Sequence, residues 1–182
     1  MVLSGRGGLA GNVTGRPFPG RAKKASRVET CQFIQPAIAA ASLMRGGFSE
    51  SREPLQALDK QLLVERHLIS REHAAKGAGS GLVLSKDETL SVMINEEDHL
   101  RMQALLPGLQ VKQVWKKMDK FDTSLEKKLD FAFDAQLGYL TACPTNLGTG
   151  IRVSAMLHLP GLVLTDQVNQ IVQSVTLSLV HT

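Results

Sequence analysis

Asn95-Glu96-Glu97-Asp98-His99-Leu100-Arg101 packs three carboxylates, an imidazole and a guanidinium into seven residues. It follows Leu90-Ser91-Val92-Met93-Ile94, an alternating apolar run that predicts a strand with one face buried. A strand that empties into consecutive acids is unusual, because like charges repel where the sheet ends. Carboxylates so placed suit a site that holds a cation such as a guanidinium, while the neighbouring arginine holds an anion such as phosphate. A solvated, acid-rich turn is the competing reading of the same residues.

Working outward, 81–85 and 89–95 read as two strands joined by Lys86-Asp87-Glu88, a hairpin. Within 110–133, Val111, Val114, Trp115, Met118, Phe121, Leu125, Leu129 and Ala132 recur at spacings of three and four, the stripe of a core-facing helix. Asp122-Thr123-Ser124 ahead of Glu126 resembles a fresh N-cap and offers a point at which that helix divides. An Ala-rich helix is expected over 24–45, interrupted by Pro36, and a short one over 53–62 with Pro54 in its first turn. Residues 65–70 have strand-like spacing, and 77–81 form a flexible connector. Further strands are expected from Gly138, over 151–159 and over 176–180, with a helix over 160–175. Helices and adjacent strands mixed without a βαβ repeat predict an α+β fold, a mainly antiparallel sheet flanked by helices. The first 22 residues, rich in glycine and proline, read as a loose basic arm holding one short strand at most, ahead of a domain over 23–182.

A chain of 182 residues, 43% hydrophobic and 21% charged, suits one ordinary globular domain. No apolar run approaches the roughly 18 residues of a membrane span, so no membrane association is expected. Two cysteines, Cys31 and Cys143, are too few for a disulfide framework and fit a reducing, cytoplasmic location. The net charge of +4 is uneven: before Glu29 there is no acid, against Arg6, Arg16, Arg21, Lys23, Lys24 and Arg27. A nucleic-acid arm is one reading, but Phe18 is the segment's single aromatic and makes no stacking platform. A transit peptide is another, though Pro17, Pro19 and the glycines spoil an amphipathic helix. Arginines gathered for phosphate binding are the third.

A second constellation, Cys143-Pro144-Thr145-Asn146-Leu147-Gly148-Thr149-Gly150, lies between two expected strands. Glycine and small hydroxyl residues let backbone N–H groups approach an anion closely. Cys143 reads either as a reactive thiolate, if positive charge lies nearby, or as a thiol packed into a tight connection. On the next strand, alternation aims Arg152, Ser154 and Met156 to one face.

Taken together, NEEDHLR at 95–101 and CPTNLGT at 143–149, followed by Gly-Ile-Arg, resemble the two signatures of the ATP:guanido phosphotransferases. Leu63-Val64-Glu65-Arg66-His67-Leu68-Ile69-Ser70, Gly138-Tyr139-Leu140-Thr141 and Met156-Leu157-His158-Leu159-Pro160 are similar to the bacterial protein-arginine kinases of the McsB type within that family. The resemblance runs over about 2–180 and is weakest over 22–50. It implies the antiparallel, helix-flanked catalytic fold shared with glutamine synthetase, and transfer of the γ-phosphoryl of Mg2+-ATP to a guanidinium nitrogen, here of protein arginines. By motif position, Glu97 would orient and help deprotonate the acceptor, and Cys143 would lie beside it. Arg101 and Arg152 would hold ATP phosphates, His67 would meet the adenosine portion, and Val153, Ser154, Ala155 and Met156 would line the nucleotide site. The Mg2+ ion would be held through the phosphates, with no metal ligands on the protein. A zinc-binding activator protein and the Clp protease system are the partners such kinases imply.

The departures from the family pattern bear on activity. Where the family's first phosphate motif reads Ser-Ser-Arg-(Ile/Val)-Arg-Leu-Ala-Arg-Asn, this chain reads Ser4-Gly5-Arg6-Gly7-Gly8-Leu9-Ala10-Gly11-Asn12. Gly8 and Gly11 replace arginines whose charge-assisted contacts are each worth roughly 1.5–3 kcal/mol. The family also continues, beyond the final His181-Thr182, into an Arg-Gly-x-x-Gly-Glu loop with a further arginine and glutamate. The expectation is therefore a C-terminally truncated kinase domain with weak nucleotide binding and slow turnover. A catalytically dead remnant that binds nucleotide or protein is the alternative, and a kinase of a small guanidine metabolite is the third reading.

Overall fold

The apolar alternation around the acidic stretch builds a sheet, and each helix covers part of it. Residues 1–50 and 55–180 are described by the computed structural model. In chain order the elements are β1 (Val2–Gly11), α1 (Lys24–Ala39), β2 (Phe48–Glu50), α2 (Ala57–Glu65), α3 (Arg71–Ala74), β3 (Gly81–Leu84), β4 (Leu90–Ile94), β5 (Leu100–Pro107) and α4 (Val111–Glu126). There follow β6 (Phe133–Asp134), β7 (Gly138–Tyr139), β8 (Ile151–Leu157), α5 (Pro160–Leu164) and α6 (Val168–Val180). Six strands form one sheet in the order β2-β3-β4-β5-β1-β8, every neighbouring pair antiparallel. The expected α+β architecture is the observed one.

Register decides which side chains share a face. Leu9, Met102 and Val92 stand side by side across β1, β5 and β4, and with Val83, Leu90, Ile94, Leu100 and Ala104 they form the main core face. Two helices close it. α1 contributes Cys31, Ile34 and Ile38 above β3 and β4, and α4 contributes Val114, Met118, Phe121 and Leu125 above β1 and β5. Each such fully buried side chain stabilises the fold by about 1.5–3 kcal/mol. The opposite face is covered over β3 and β4 alone, where Leu82, Leu84 and Met93 meet Leu68, Ile69 and the partly buried Leu63 and Val64. Over β5, β1 and β8 that second face has no such apolar cover among the described residues, and the polar side chains collect there.

Several expectations change. Within the arm expected over 1–22, Val2–Gly11 form a ten-residue strand, β1, between β5 and β8. Its glycines mark close packing, not slackness. A Cβ on Gly7 would lie 2.6 Å from Val114 Cγ1, so only glycine lets α4 approach the sheet there. β4 is buried on both faces, because α2 and α3 cover the side expected to be open. Residues 65–70 form no strand: α2 ends as His67 adopts φ 59°, and Leu68 and Ile69 turn into the smaller core. α4 is one helix through 122–124, since Phe121 and Leu125 belong to the same buried stripe and Ser124 Oγ donates back to the Phe121 carbonyl at 2.6 Å. α1 continues past Pro36 to Ala39. The single helix expected over 160–175 is two, and α6 runs on through the strand expected at 176–180. β5, absent from the sequence reading, is central to the sheet. Pro54 and the chain end at His181-Thr182 lie outside the described residues.

Gly7→Ala should cost about 1–3 kcal/mol by overpacking against Val114, measured by urea denaturation. Gly8→Ala, one residue along but facing the other way with its nearest contacts at 3.5 and 3.8 Å, should stay within about 0.5 kcal/mol. Asp122, on α4, has its pKa pushed up to about 6 by burial first and then by Glu126 and Asp119. A raised carboxyl pKa favours the fold below the ordinary value of 3.8 and costs stability as pH rises through about 6. Asp122→Asn should therefore raise Tm at pH 7 and above, and the gain should vanish below pH 3.8, checked by calorimetric scans across pH.

Candidate active site

On the second face of the sheet, β1, β5 and β8 place Arg6, Arg101, Gln103, Arg152 and Ser154 around a recess of about 230 Å3. The register explains the gathering: Arg6 pairs with Ser154, Gly8 with both Gln103 and Arg152, and Ala10 with Arg101. Paired residues of antiparallel strands point to the same side. Gln103 is buried, and its Nε2 donates to the His67 and Leu68 carbonyls at 2.8 Å each. Its Oε1 is thereby aimed at Arg6, whose guanidinium donates to it. Burial lowers the Arg6 pKa, and the charges of Arg101 and Arg152 lower it further. Three guanidinium groups held together against their own repulsion make a site for a polyanion.

The acidic loop at 95–99 joins β4 to β5, and four of its five side chains are bound to the surrounding protein. Asn95, at φ 56°, donates through Nδ2 to the Arg27 and Gly79 carbonyls at 2.8 and 2.6 Å. Glu96 is 3% exposed, accepts from Ser70 Oγ at 2.6 Å and pairs with Arg101 Nη1 at 2.9 Å. Burial pushes the Glu96 pKa up, but the Ser70 hydrogen bond and Arg101 outweigh it and the net shift is downward. Asp98 Oδ1 accepts from Asn12 Nδ2 at 2.5 Å and from the Ala142 amide at 2.6 Å. His99 Nδ1 accepts from the Val13 amide at 3.1 Å, so its Nε2 carries the proton facing the Pro17 carbonyl at 3.0 Å. Its pKa is lowered, chiefly by burial.

Glu97 is the exception. Its side chain is 46% exposed, and its closest ion-pair partner is Arg101 Nη1 at 4.0 Å. It lines a larger cavity of about 1260 Å3 with Glu96, Arg101, Ser70, Thr141 and Ala142, closed on another side by Arg16, Pro17, Phe18 and Arg21. Arg101 borders both this cavity and the arginine recess, so the two spaces meet at one residue.

The Cys143 loop supports the junction. Gly150, at φ 66°, donates to the Asn146 carbonyl at 3.0 Å, and its own carbonyl accepts from the Ala10 amide at 2.9 Å. A Cβ there would meet the Ala10 oxygen at 2.5 Å, which excludes any other residue without rearrangement. Asn146 and Gly150 line the recess, whereas Thr141 and Ala142 line the cavity.

Of the residues expected from the sequence, Arg6, Gly8, Arg101, Arg152 and Ser154 line the recess and Glu97 the adjoining cavity. Ser4 and Met156 pair on the same face beyond it. Gly5, Gly7, Val153 and Ala155 belong to the other face, where Val153 lies with Gly7, Val114 and Trp115. His67 is exposed and borders neither space, and its carbonyl accepts from Gln103 Nε2 at 2.8 Å. Cys143 is half-buried, with Sγ 3.0 Å from Thr145 Oγ1, next to the cavity-lining Ala142. Of the six early cations only Arg6 reaches the recess; Arg16 pairs with Glu29 at 3.1 Å and stacks over Phe33. Gln103 and Asn12 were missed as positioning residues. The parity of Arg101 and Gln103 along one strand was the signal for the first.

Comparison with known proteins places this arrangement. The family model for the ATP:guanido phosphotransferase C-terminal catalytic domain matches residues 40–180. Protein-arginine kinase of Halothermothrix orenii is 44% identical over 176 residues, covering 97% of this chain and 50% of that protein. Protein-arginine kinase of Moorella thermoacetica is 45% identical over 179 residues, covering 97% of this chain and 51% of its own. The chain thus spans about half the length of the curated relatives it matches. Among solved structures, the duplicated taurocyamine kinase from Schistosoma mansoni with bound transition state analog components superposes with a TM-score of 0.81 at 30% identity, over 90% of this chain and 24% of that one. Lombricine kinase superposes with a TM-score of 0.73 at 25% identity, over 89% of this chain and 49% of that one.

Cys143 should be alkylated faster than Cys31, which is buried against the sheet. Site-resolved labelling rates by mass spectrometry check this. Equal rates would mean the 141–150 loop packs more tightly than the half-burial of Cys143 indicates.

Proposed function

Because the chain belongs to the ATP:guanido phosphotransferase family, we propose that it moves the γ-phosphoryl group of ATP to a guanidinium nitrogen of protein arginine residues. The observation that carries this reading is the meeting of two spaces at Arg101, three arginines on one side and Glu97 on the other. ATP phosphates in the recess would be held by Arg6, Arg101 and Arg152, with Gln103 keeping Arg6 aimed. Mg2+ would enter on the phosphates and offset their charge. An acceptor guanidinium in the larger cavity would meet Glu97, the one acid of its loop not engaged by a close hydrogen bond or ion pair among the described residues.

In the transfer, the bond from Pγ to the ADP oxygen breaks and a bond from Pγ to the acceptor nitrogen forms. The proton lost by that nitrogen passes to the Glu97 carboxylate. Such a reaction depends on positioning and electrostatic stabilisation, which is what fixed guanidinium groups supply. Glu96 acts differently: it holds Arg101 and leaves Glu97 to face the acceptor. Gly8, between Gln103 and Arg152, leaves the recess short of an arginine that the family motif carries, so nucleotide affinity rests on the remaining three. The presence of all three beside Glu97 favours turnover over the reading of a remnant that only binds. A cytoplasmic location, a zinc-binding activator and the Clp protease system are the setting this function implies. Among the described residues no helix is long and apolar enough to cross a membrane.

Two variants separate the halves of the site. Arg152→Ala should weaken nucleotide binding roughly ten- to a hundred-fold by calorimetry with Mg2+. Glu97→Gln should leave that affinity unchanged while lowering phosphoarginine formation about 10²–10⁴-fold. Phosphoarginine is measured by mass spectrometry at neutral pH. Turnover unaffected by Glu97→Gln would remove that residue from the mechanism.

A further inference from the structure

The cavity beside Glu97 is far larger than a guanidinium needs, and its walls are not uniformly acidic. Arg21 and Lys76 line it together with Glu97 and with Glu72 of α3, the two cations approaching from the segment before α1 and from just beyond α3. Arg16 and Arg101 line it too, but their charge is engaged, by Glu29 at 3.1 Å and by Glu96 at 2.9 Å. Among the described residues neither Arg21 nor Lys76 has an ion-pair partner. Phe18 and Pro17 add an apolar strip to the same wall. An acceptor that brings only positive charge would meet Glu97 and Glu72 favourably and these two cations unfavourably.

We propose that the cavity selects arginines that carry an anionic group close by, and that Arg21 and Lys76 form the subsite for that anion. In a polypeptide acceptor the group is an Asp or Glu side chain flanking the arginine. The inference rests on the kinase reading above, since it presumes that Glu97 receives the acceptor guanidinium. Free arginine carries the same chemistry in its α-carboxylate, and the test separates the two sources. The interaction is partly solvated, so it tunes preference and association and weakens with salt.

Equilibrium binding to the full chain, by calorimetry, tests this without requiring turnover. Three peptides differ only in the residues flanking a central arginine: Asp, Asn or Lys. The Asp peptide should bind roughly 3–10-fold more tightly than the Asn peptide at low salt, and the Lys peptide more weakly still. Raising ionic strength should compress the series. The Arg21→Glu, Lys76→Glu double variant should reverse the order while leaving nucleotide affinity unchanged, because neither residue lines the arginine recess. If that variant does not fold, Arg21→Gln, Lys76→Gln should abolish the preference instead. Identical affinities for the three peptides, with binding lost when citrulline replaces the central arginine, would overturn the anion subsite and leave the acceptor reading standing. Equal binding of the citrulline peptide would overturn both. Free arginine binding more tightly than agmatine, with no effect of flanking acids, would assign the anion to the α-carboxylate and overturn the polypeptide form.

Discussion

Asp98 accepts from Asn12 at 2.5 Å and from the Ala142 amide at 2.6 Å, so one carboxylate fastens β1, the acidic loop and the Cys143 loop together. Asn12 answers through its Oδ1, which accepts from the His99 amide at 2.9 Å, and through Nδ2 to the Leu140 carbonyl at 3.1 Å. Both residues are buried, and buried polar groups of this kind stabilise only when every partner is in place. Three segments far apart in the chain thus acquire one geometry. The arginine recess and the Glu97 cavity adjoin because this knot holds their walls.

The same loop shows how five neighbouring polar residues divide their work. Asn95, Glu96, Asp98 and His99 are buried and bound to other segments, and Glu97 alone is left half-exposed. Burying a carboxylate requires a matching donor, and Ser70 with Arg101 meets that requirement for Glu96. Ser70 also accepts from the His73 amide at 2.9 Å as the N-cap of α3, so this short helix is coupled directly to the site. Glu97 stays exposed while its neighbours are bound.

Much of this was legible in the residues. The strand before the acidic loop, the hairpin at 81–94, the amphipathic stripe of α4 and the shared face of Arg152 and Ser154 all follow from local periodicity, and the structure has each of them. The choice of Glu97 and the arginines came from motif resemblance, and the geometry brings Arg6, Arg101, Arg152 and Glu97 to adjoining spaces. The readings that failed share a cause. Glycine in β1 looked like slack, because only the approach of Val114 reveals why Gly7 has no side chain. The 65–70 segment looked like a strand, because alternation there reflects two residues turning into the smaller core.

What the amino-acid order determined by itself is the set of elements whose faces differ in polarity, since period and propensity act over a few residues. It also carried the chemistry of the site, because charged residue types in a fixed local order survive any fold. Only the tertiary structure decided which face each of those elements presents and what covers it. Burial of β4 on both sides, the engagement of Glu96 rather than Glu97, and the hold of the His67 carbonyl on Gln103 are all of this kind. Each depends on a partner more than 20 residues away or on sheet register. Such contacts are chosen by which arrangement satisfies most of the buried polar groups at once, a condition that no short stretch of sequence contains.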